Sequence, residues 1–580
     1  MNIFGMDAYI IPTNDFHGTE YVSDYFKARA LLSGFTGSAG TLVVTKKGAY
    51  LWTDGRYFIQ AEKQIAGRGI ELMKMGQPGV KTIEEFLCEY LKGEKTLGFD
   101  GRLLDASFCL RLRAKLDSNV KIKCNEDLIE LIWKDRPELP YSLIYKLDDY
   151  YTGLSYKDKL AKVKEAINKE KADLLIMASL EDQAWLYNLR ADDILHTPVF
   201  LAFTIISNDQ VTLFVDERKV DLSVKKYLDE CDIELKPYNA IYNAVRDIKN
   251  KRIMMDLNKV NYLIYSSIKD NNTIINHEDP TLLLKAIKND TEIKNIKATH
   301  IKDGLCVTKF MKYLKDNHES LTEITASDYL KSLRMATHGY VDLSFDTIAA
   351  FKEHGAMMHY SATTESDVSL AGDGLFLVDS GGHYLGGTTD ITRTFALGNI
   401  TDEMKMYFTT VLKSVIRLAR ATFLRGCNGQ NLDILARGPI WDLLIDYKCG
   451  TGHGVGNLLS VHESPNGFRW QRVPERNDSA QLQPGMITTD EPGIYLEGKY
   501  GIRIENEMLC IPKGKTEFGE FLGFETITYT PIDLDCINPD MLTFEEKEWL
   551  NNYHQTVFEN LSEFFEGEDL EWLKKYTRAI

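Results

Sequence analysis

The chain has 580 residues, more than one hydrophobic core supports, so we expect two to four domains. Apolar residues make up 44% of the chain and charged residues 26%, as in soluble globular proteins. The net charge of −17 argues against a nucleic-acid partner and against binding to an anionic membrane surface.

The cysteine pattern and the N-terminus indicate the compartment. Nine cysteines are scattered from Cys88 to Cys536 without a CxxC pair, which indicates neither a disulfide framework nor a zinc ribbon. The N-terminus lacks a basic segment followed by a long apolar one, and no run approaches the roughly 18 apolar residues of a membrane span. We therefore expect a cytoplasmic protein with no membrane partner.

The first half of the chain repeats one pattern of short apolar runs. Runs at residues 8–11, 41–44 and 49–52 precede Asp54-Gly-Arg56, and a predicted helix at residues 157–170 begins a second copy. That copy has runs at residues 173–177, 200–206 and 211–214 before Asp216-Glu-Arg218. We interpret the two stretches as diverged copies of one α/β module, with chance repetition of short strands as the alternative.

Two boundaries separate three predicted domains. Pro137 and Pro140 disfavour helix and remove backbone donors, which marks the end of the first module. The second module ends near residues 280–290, where a long helical pattern starts. The predicted domains are therefore residues 1–142, 143–289 and 290–580.

The last domain begins with predicted helices and continues with predicted strands. We expect helices at residues 291–317, capped by Asp290, and at residues 326–335. Strands are expected at residues 345–351 and 355–360. The runs at residues 375–379 and 384–392, joined through Gly381-Gly382, indicate an antiparallel pair that brings Asp379 and Asp390 together.

Further predicted elements follow in chain order. Thr401 is expected to cap a helix that runs to about residue 424, and a second helix is expected at residues 432–447. Strands at residues 486–491 and 502–511 would bring Glu491 and Glu505 to one site from neighbouring strands. The tail, residues 544–580, has the apolar pattern of amphipathic helices.

Five side chains in this domain are candidate metal ligands. Carboxylates and an imidazole on strand-like or Gly-rich segments are ligands that hard or borderline divalent ions prefer, and four carboxylates balance two such ions. Any one of them alone would more often be an ordinary polar residue. The chain has no P-loop, no GxSxG elbow and no phosphate-binding GxGxxG after a strand. The candidates are Asp379 in FLVDSGG, Asp390 in GTTDITRTF, His453 in GTGHGVGNLL, Glu491 in TTDEPGIY and Glu505 in GIRIENE.

The order of these motifs resembles that of the dinuclear metallopeptidases of the pita-bread fold. The match of D-x(10)-D, HGVG, EPG and RIEN is strongest with the long, three-domain Xaa-Pro aminopeptidases, the aminopeptidase P family. The resemblance implies a mixed α/β (α+β) fold, with two N-terminal creatinase-like modules before a pita-bread catalytic domain. It also implies hydrolysis of the N-terminal bond in peptides whose second residue is proline.

The resemblance implies a role for each candidate ligand. Asp379 would bind one metal, Asp390 and Glu505 would bridge, and His453 with Glu491 would bind the other metal. A hydroxide bridging the two ions would be the nucleophile, and Glu491 would also accept a proton from the attacking water. Manganese is the expected metal, with zinc, cobalt or iron as substitutes.

The resemblance extends to residues around these ligands. His359 and His462 would hold the substrate carbonyl and stabilise the oxyanion, and Arg503 would orient the bridging carboxylates or the substrate. Each is alternatively an ordinary polar residue of the core. Tyr495 and Trp441 lie where related enzymes keep an aromatic residue near the site or the subunit contact, and both are alternatively core residues. At Cys449 many relatives carry histidine.

The family further implies a homodimer in which Arg56 of the first module reaches towards a site, although a salt bridge within its own module is the favoured role for Arg56. The alternatives are a prolidase, a methionine aminopeptidase, a metal-free creatine amidinohydrolase and a non-catalytic binding protein. The five candidate ligands disfavour the last two, and two N-terminal modules disfavour the first two.

Overall fold

The computed structural model describes residues 1–473 and 476–580. The chain forms two compact units, one of residues 1–149 and 154–282 and one of residues 150–153 and 283–580. Among the described residues, no helix combines the length and the apolar character needed to cross a bilayer.

The first unit contains two six-stranded sheets. The first sheet has the order β4-β3-β2-β1-β5-β6, with β2 antiparallel to both β1 and β3 and with the outer pairs parallel. Its strands are β1 (Ala8–Pro12), β2 (Thr41–Thr45), β3 (Ala49–Thr53), β4 (Ile70–Lys74), β5 (Thr96–Phe99) and β6 (Lys121–Lys123). Its helices are α1 (Ala28–Ser33), α2 (Phe58–Gln64), α3 (Ile83–Tyr90) and α4 (Ala106–Lys115).

The second sheet repeats the first, strand for strand. Its order is β12-β11-β10-β8-β13-β14, and each pair has the same parallel or antiparallel sense as its counterpart. The predicted module repeat is confirmed. The elements from residue 145 to residue 286 are β7 (Tyr145–Lys146), α5 (Asp149–Thr152), α6 (Tyr156–Lys169), β8 (Leu174–Met177), α7 (Leu180–Tyr187), β9 (Leu189–Arg190), β10 (Ala202–Ser207), β11 (Val211–Val215), α8 (Leu222–Glu230), β12 (Ile233–Pro237), α9 (Ile241–Asp247), β13 (Arg252–Met255), α10 (Tyr262–Ile268), β14 (Thr273–Asn276) and α11 (Pro280–Ala286).

The second unit combines helices with two principal sheets. One sheet has the order β16-β17-β20 and the other β21-β28-β27-β24-β22-β23. The helices are α12 (Asp290–Asn317), α13 (Glu323–Met335), α14 (Asp402–Ala419), α15 (Gly429–Trp441), α16 (Phe544–Leu561) and α17 (Gly567–Tyr576). The strands are β15 (Tyr340–Leu343), β16 (Ile348–Phe351), β17 (Gly374–Ser380), β18 (Gly382–Tyr384), β19 (Gly387–Thr388), β20 (Ile391–Leu397), β21 (Thr422–Leu424), β22 (Gly452–Gly454), β23 (Glu463–Phe468), β24 (Ile487–Asp490), β25 (Gly493–Leu496), β26 (Tyr500–Arg503), β27 (Asn506–Thr516) and β28 (Gly519–Thr526).

The largest core of this unit lies around α14. Its buried residues Phe408, Val411, Leu412, Val415 and Ile416 follow the spacing of one helical face. They pack with apolar residues of β25, β26 and α16, which fixes the strand that ends at Arg503. Both tail helices, α16 and α17, contribute buried residues to this core, as the sequence predicts.

Helix boundaries differ from the predictions at several places. Asn289 rather than Asp290 caps α12. The Asn289 side chain accepts from the backbone N–H groups of Thr291 and Glu292, and the Glu292 carboxylate accepts from the backbone N–H of Asn289. Helix α14 ends at Ala419, because the following residues pair with β28 as strand β21. Helix α15 likewise ends at Trp441, before the predicted residue 447.

One predicted strand is absent and another is divided in two. Residues 355–360 form no strand: a 3₁₀ helix occupies Lys352–Ala356 and a turn follows, because tertiary contacts of this segment override its local pattern. The predicted strand at residues 502–511 is divided at residues 504–505, since β26 pairs with β25 while β27 pairs with β24 and β28.

Candidate metal centre

The two aspartates come together on paired strands. In the β17–β20 ladder Asp379 lies opposite Thr392, and Ser380 lies opposite Ile391, directly after Asp390. The predicted antiparallel pair is therefore confirmed. The connection from β17 to β20 is longer than the predicted Gly381-Gly382 turn. It contains β18 and β19, which form a second small sheet with β15.

His453 lies in β22 between two glycines that have no room for a side chain. A Cβ on Gly452 would lie 1.9 Å from the Thr489 carbonyl oxygen, and one on Gly454 would lie 2.3 Å from the Glu463 carbonyl oxygen. The ring nitrogen Nδ1 of His453 lies 2.9 Å from the Gly454 carbonyl oxygen, so Nδ1 carries the proton and donates. This contact leaves Nε2 as the ring nitrogen that would bind a metal, which is the arrangement typical of a histidine ligand.

The two glutamates lie just beyond the ends of a strand pair. In the β24–β27 ladder Asp490 lies opposite Asn506, so Glu491 follows one strand and Glu505 precedes the other. Their backbone N–H groups are held by the carbonyl oxygens of Thr451 and Thr392, respectively, at 2.8 and 3.1 Å.

The five candidate ligands converge. Ligand atoms of Asp390, His453 and Glu505 all lie within 4.8 Å of one another. Nε2 of His453 lies 3.4 Å from Oδ2 of Asp390 and 3.6 Å from Oε1 of Glu491. Asp379 is linked to the same cluster by its effect on Asp390, whose pKa it raises.

The electrostatics of the cluster fit divalent cations. Burial, followed by repulsion from Asp379 and Glu491, raises the pKa of Asp390 well above its usual range. Burial and repulsion from Asp390 and Asp379 do the same to the pKa of Glu505. One oxygen each of Asp379, Asp390 and Glu505 is buried without a hydrogen-bond partner among the described residues. Cations at these oxygens would satisfy them and relieve the repulsion.

Arg503 reaches the cluster from the last position of β26. Its guanidinium donates to Oδ2 of Asp379 at 2.6 Å, to the Tyr495 hydroxyl at 2.6 Å and to the Thr392 hydroxyl at 3.0 Å. The Thr392 hydroxyl in turn donates to Oε2 of Glu505 at 2.8 Å. Arg503 therefore contacts Asp379 directly and Glu505 through Thr392.

A second set of buried side chains, which the sequence analysis missed, lies behind Asp390. Oε1 of Glu507 accepts from the backbone N–H of Asp390 at 2.8 Å, and Nε2 of His300 lies 3.1 Å from the other Glu507 oxygen. Thr392 and Glu507 each follow a candidate ligand by two residues in the chain, and strand alternation is a signal that would have found them. His300 on α12 has no such signal.

Asp303 and Arg334 hold the connection between the two aspartates. Asp303 accepts from Arg334 at 2.7 Å, from the Tyr384 hydroxyl at 2.8 Å and from the Thr389 hydroxyl at 2.8 Å. Arg334 also donates to the Ser380 hydroxyl at 3.1 Å. Ser380 and Thr389 adjoin the two aspartates, so this buried ion pair fixes both ends of the connection.

The two predicted oxyanion histidines lie on different segments. The His462 ring lies edge-on to the His453 ring, with centroids 4.3 Å apart. His359 lies in the turn after the 3₁₀ helix Lys352–Ala356. Met357 and Tyr360 of that turn belong to a small apolar cluster with Leu377 of β17. His359 and His462 are both half-buried.

The remaining singled-out residues have identifiable contacts. Burial and the neighbouring Glu491, opposed by Arg503, raise the pKa of the Cys449 thiol to about 12. Trp441 donates to Asp446 at 2.8 Å and packs edge-on to Trp470.

Arg56 makes contacts inside its own module. Its guanidinium donates to both carboxylate oxygens of Asp54, at 2.7 and 2.8 Å, and lies 3.8 Å from Glu20. The salt bridge that the sequence analysis favoured for Arg56 is therefore present.

Family models match nearly the whole chain. Residues 1–132 and 135–292 each match a creatinase/prolidase N-terminal domain. Residues 294–512 match metallopeptidase family M24, and residues 520–580 match the C-terminal region of that peptidase family.

Two curated relatives are similar over almost their entire length. A probable Xaa-Pro aminopeptidase P of Laccaria bicolor is 36% identical, with 99% of this chain and 91% of the relative covered. Xaa-Pro aminopeptidase 1 of Dictyostelium discoideum is also 36% identical, with 99% of this chain and 94% of the relative covered.

Solved structures give the same result. The crystal structure of an X-prolyl aminopeptidase from Caenorhabditis elegans, described as a cytosolic enzyme with a di-nuclear active site, superposes with a TM-score of 0.93. It is 33% identical, and 99% of this chain and 95% of that one are covered. An Xaa-Pro dipeptidase from Bacillus anthracis shares the fold at a TM-score of 0.52 but covers 66% of this chain. This chain is therefore a member of the Xaa-Pro aminopeptidase family, an M24 metallopeptidase with creatinase-type N-terminal domains ahead of a pita-bread domain.

Proposed function

We propose that this chain removes the first residue from peptides whose second residue is proline. The observation that carries the proposal is the convergence of Asp390, His453 and Glu505, with orphaned carboxylate oxygens, in a chain similar over its full length to proteins named Xaa-Pro aminopeptidases. A non-catalytic binding protein would have no use for repelling buried carboxylates. Retention of the cluster therefore favours catalysis.

The five candidate ligands would hold two divalent ions, with manganese as the expected metal. Asp379 would serve one ion, His453 and Glu491 the other, and Asp390 and Glu505 would lie between them. When bound, two such ions would activate a water as the nucleophile and would polarise the scissile carbonyl. Carboxylate-rich ligation suits manganese, and four carboxylates neutralise two divalent charges.

The surrounding side chains would perform the remaining tasks. Glu491 is partly open, with about a fifth of its side chain exposed, so it can accept the proton that the attacking water loses. His462 packs on His453 and would donate to the developing oxyanion together with His359. Arg503 would keep Asp379 and Glu505 in their orientations through the contacts described above.

Proline explains why such a peptidase is needed. Its nitrogen is tertiary and carries no N–H, so a peptidase that grips this amide by its hydrogen loses a donor. Attack on the carbonyl carbon by an activated water does not use that hydrogen. The substrate class is therefore consistent with a site built from carboxylates and histidines.

We further propose a homodimer located in the cytosol, with domains at residues 1–142, 143–289 and 290–580. The location is supported by the similarity to the cytosolic C. elegans enzyme, and the domain bounds by the separate family models that match successive segments. The dimer rests on the family resemblance alone. Sedimentation at micromolar concentration tests the dimer, and a single monomeric species would contradict it.

Peptide cleavage tests the function. Purified protein loaded with Mn²⁺ is incubated with Xaa-Pro-Yaa tripeptides, matched Xaa-Ala-Yaa peptides and Xaa-Pro dipeptides, and the products are identified by mass spectrometry. We expect release of Xaa from the proline tripeptides only. Equal cleavage of the alanine series would contradict the proline specificity, and cleavage of dipeptides alone would make the protein a prolidase.

A further inference from the structure

A buried carboxylate on α13 gathers three donors from one loop. Glu323 is the first residue of α13 and is fully buried. One carboxylate oxygen accepts from the backbone N–H of Phe351 at 2.7 Å and lies 2.9 Å from Nδ1 of His354. The other oxygen accepts from the Tyr360 hydroxyl at 2.8 Å.

All three donors belong to residues 351–360, which we call the histidine loop because it carries His359. Tyr360 directly follows His359 in the chain, and its ring stacks on the His354 ring with centroids 4.4 Å apart. Glu323 therefore holds the start, the middle and the end of the loop. His359 lies between two of the contacts that Glu323 makes.

The other side of the histidine loop packs on the strand that ends at Arg503. A Cβ added to Gly501 would lie 1.7 Å from the Gly355 carbonyl oxygen, and one added to Gly355 would lie 2.9 Å from the Gly501 backbone nitrogen. The two backbones are therefore in direct contact. The loop is held between the Glu323 carboxylate and a strand of the candidate metal centre.

The energetics favour a fixed loop. Burial raises the pKa of Glu323, while the N–H of Phe351, His354 and the Tyr360 hydroxyl each lower it. A buried carboxylate that lost these donors would be left with the full cost of its desolvation. Loop conformations that break the three contacts are therefore disfavoured.

We propose that Glu323 is a positioning residue for His359, acting through the histidine loop in the Xaa-Pro hydrolysis proposed above. By fixing Phe351, His354 and Tyr360 it holds the His359 backbone in one conformation, from which the imidazole would reach the substrate carbonyl. The hydrogen-bond partners of Glu323 described above include none of the five candidate ligands. Its role rests on the proposed function but is separate from metal binding.

The first test is Glu323→Gln in the Mn²⁺-loaded enzyme. Glutamine keeps the shape of the side chain but replaces one acceptor oxygen with an NH₂ group, which cannot accept from the loop donor that it faces. We therefore expect the loop to lose a contact and to become more mobile. We expect kcat to fall by about 10- to 100-fold, with KM changed by less than about threefold and metal content unchanged. Glu365→Gln is the matched control, because Glu365 is an exposed carboxylate close to the same loop.

Tyr360→Phe is a milder variant that removes only one of the three contacts. We expect kcat to fall by about three- to tenfold, with the melting temperature within a few degrees of that of the wild type. This variant keeps the proposal falsifiable if Glu323→Gln does not fold.

A double-mutant cycle separates positioning from general stability. If Glu323 acts through His359, Glu323→Gln should lower kcat by less than about twofold in a His359→Ala background. Full additivity, or loss of bound metal in Glu323→Gln, would overturn the positioning role. A wild type that leaves Xaa-Pro-Yaa peptides intact would overturn the proposed function and this role with it. Active wild type beside an unchanged Glu323→Gln would overturn the positioning role alone.

Discussion

Thr392 connects two charged groups that would otherwise be oriented independently. Its hydroxyl accepts from Arg503 and donates to Glu505, and Thr392 is fully buried. Side chains that hydrogen-bond a metal ligand set its orientation, and their removal commonly costs about 10- to 100-fold in affinity or activity.

We predict that Thr392→Val lowers kcat/KM on an Xaa-Pro-Yaa peptide by about 10- to 100-fold and weakens metal retention. Valine keeps the shape of threonine but removes both hydrogen bonds. The control is Thr308→Val, since Thr308 is also fully buried but its hydroxyl donates to the Gly304 carbonyl of its own helix, away from the candidate ligands in the chain. Equal activity of the two variants would refute the link.

The five candidate ligands were predictable because their motifs recur in a fixed order, whereas their supporting residues were not. Thr392 and Glu507 could have been inferred from strand alternation. Glu323 and His300 could not, because their partners are distant in the chain and no local pattern marks the contact. Local motifs therefore predict the candidate ligands more readily than the groups that orient them.

Among the elements, helix α12 shows how a single residue decides a boundary. Asn289 and Glu292 form a capping box, and the Asn289 amide also donates to the Thr152 carbonyl oxygen at 2.9 Å. Asp290 was the predicted cap because it precedes the helical pattern, but it lies in the first turn instead.

We predict that Asn289→Ala lowers the free energy of unfolding by about 1 kcal/mol, as loss of an N-cap usually does. Asn289→Ser keeps a capping oxygen and should cost less, and Asp290→Asn should cost about 0.5 kcal/mol through the helix dipole alone. Urea denaturation of the three variants provides the comparison. A larger loss in Asp290→Asn than in Asn289→Ala would return the cap to Asp290.

Strands and helices with strong periodicity were predicted well, and the errors lie where tertiary contacts override the local pattern. The apolar runs of both modules became strands within one or two residues of the prediction. Residues 355–360 did not, because Glu323 and the Gly501 backbone hold them in a turn. Neither contact is visible in the local sequence.

At the scale of the whole molecule, the candidate metal centre would couple function to stability. Asp390 is buried beside Asp379, Glu491 and Glu507, all of which raise its pKa. Without cations this crowding opposes folding, and with cations it favours binding. Ligands that bind only the folded state stabilise it, by about 4 kcal/mol at a thousandfold excess over Kd.

We predict that the effect of Asp390→Asn on the free energy of unfolding has opposite signs with and without bound metal. In the chelated protein the variant should be more stable than the wild type by about 1–3 kcal/mol, because a repelled buried charge is removed. With Mn²⁺ the wild type should be the more stable of the two, as thermal denaturation under both conditions would reveal.

Asp533→Asn is the contrasting control for this prediction. Asp533 is also fully buried, but it is paired with Lys315 at 2.6 Å. Its loss should therefore destabilise the protein with or without metal. An Asp390→Asn variant that behaves like Asp533→Asn would contradict the proposed metal centre.

The register of the β17–β20 ladder has a consequence for the interpretation of homologous sequences. Asp379 lies opposite Thr392, and both ends of the connection between the two aspartates are held by Asp303 and Arg334, so a change in the length of this interval would disturb the ladder or these contacts. A one-residue insertion there would either bulge or turn alternate side chains to the other face. We therefore expect a homologous chain with an insertion or deletion in this interval to have reduced peptidase activity, even where all five candidate ligands are retained.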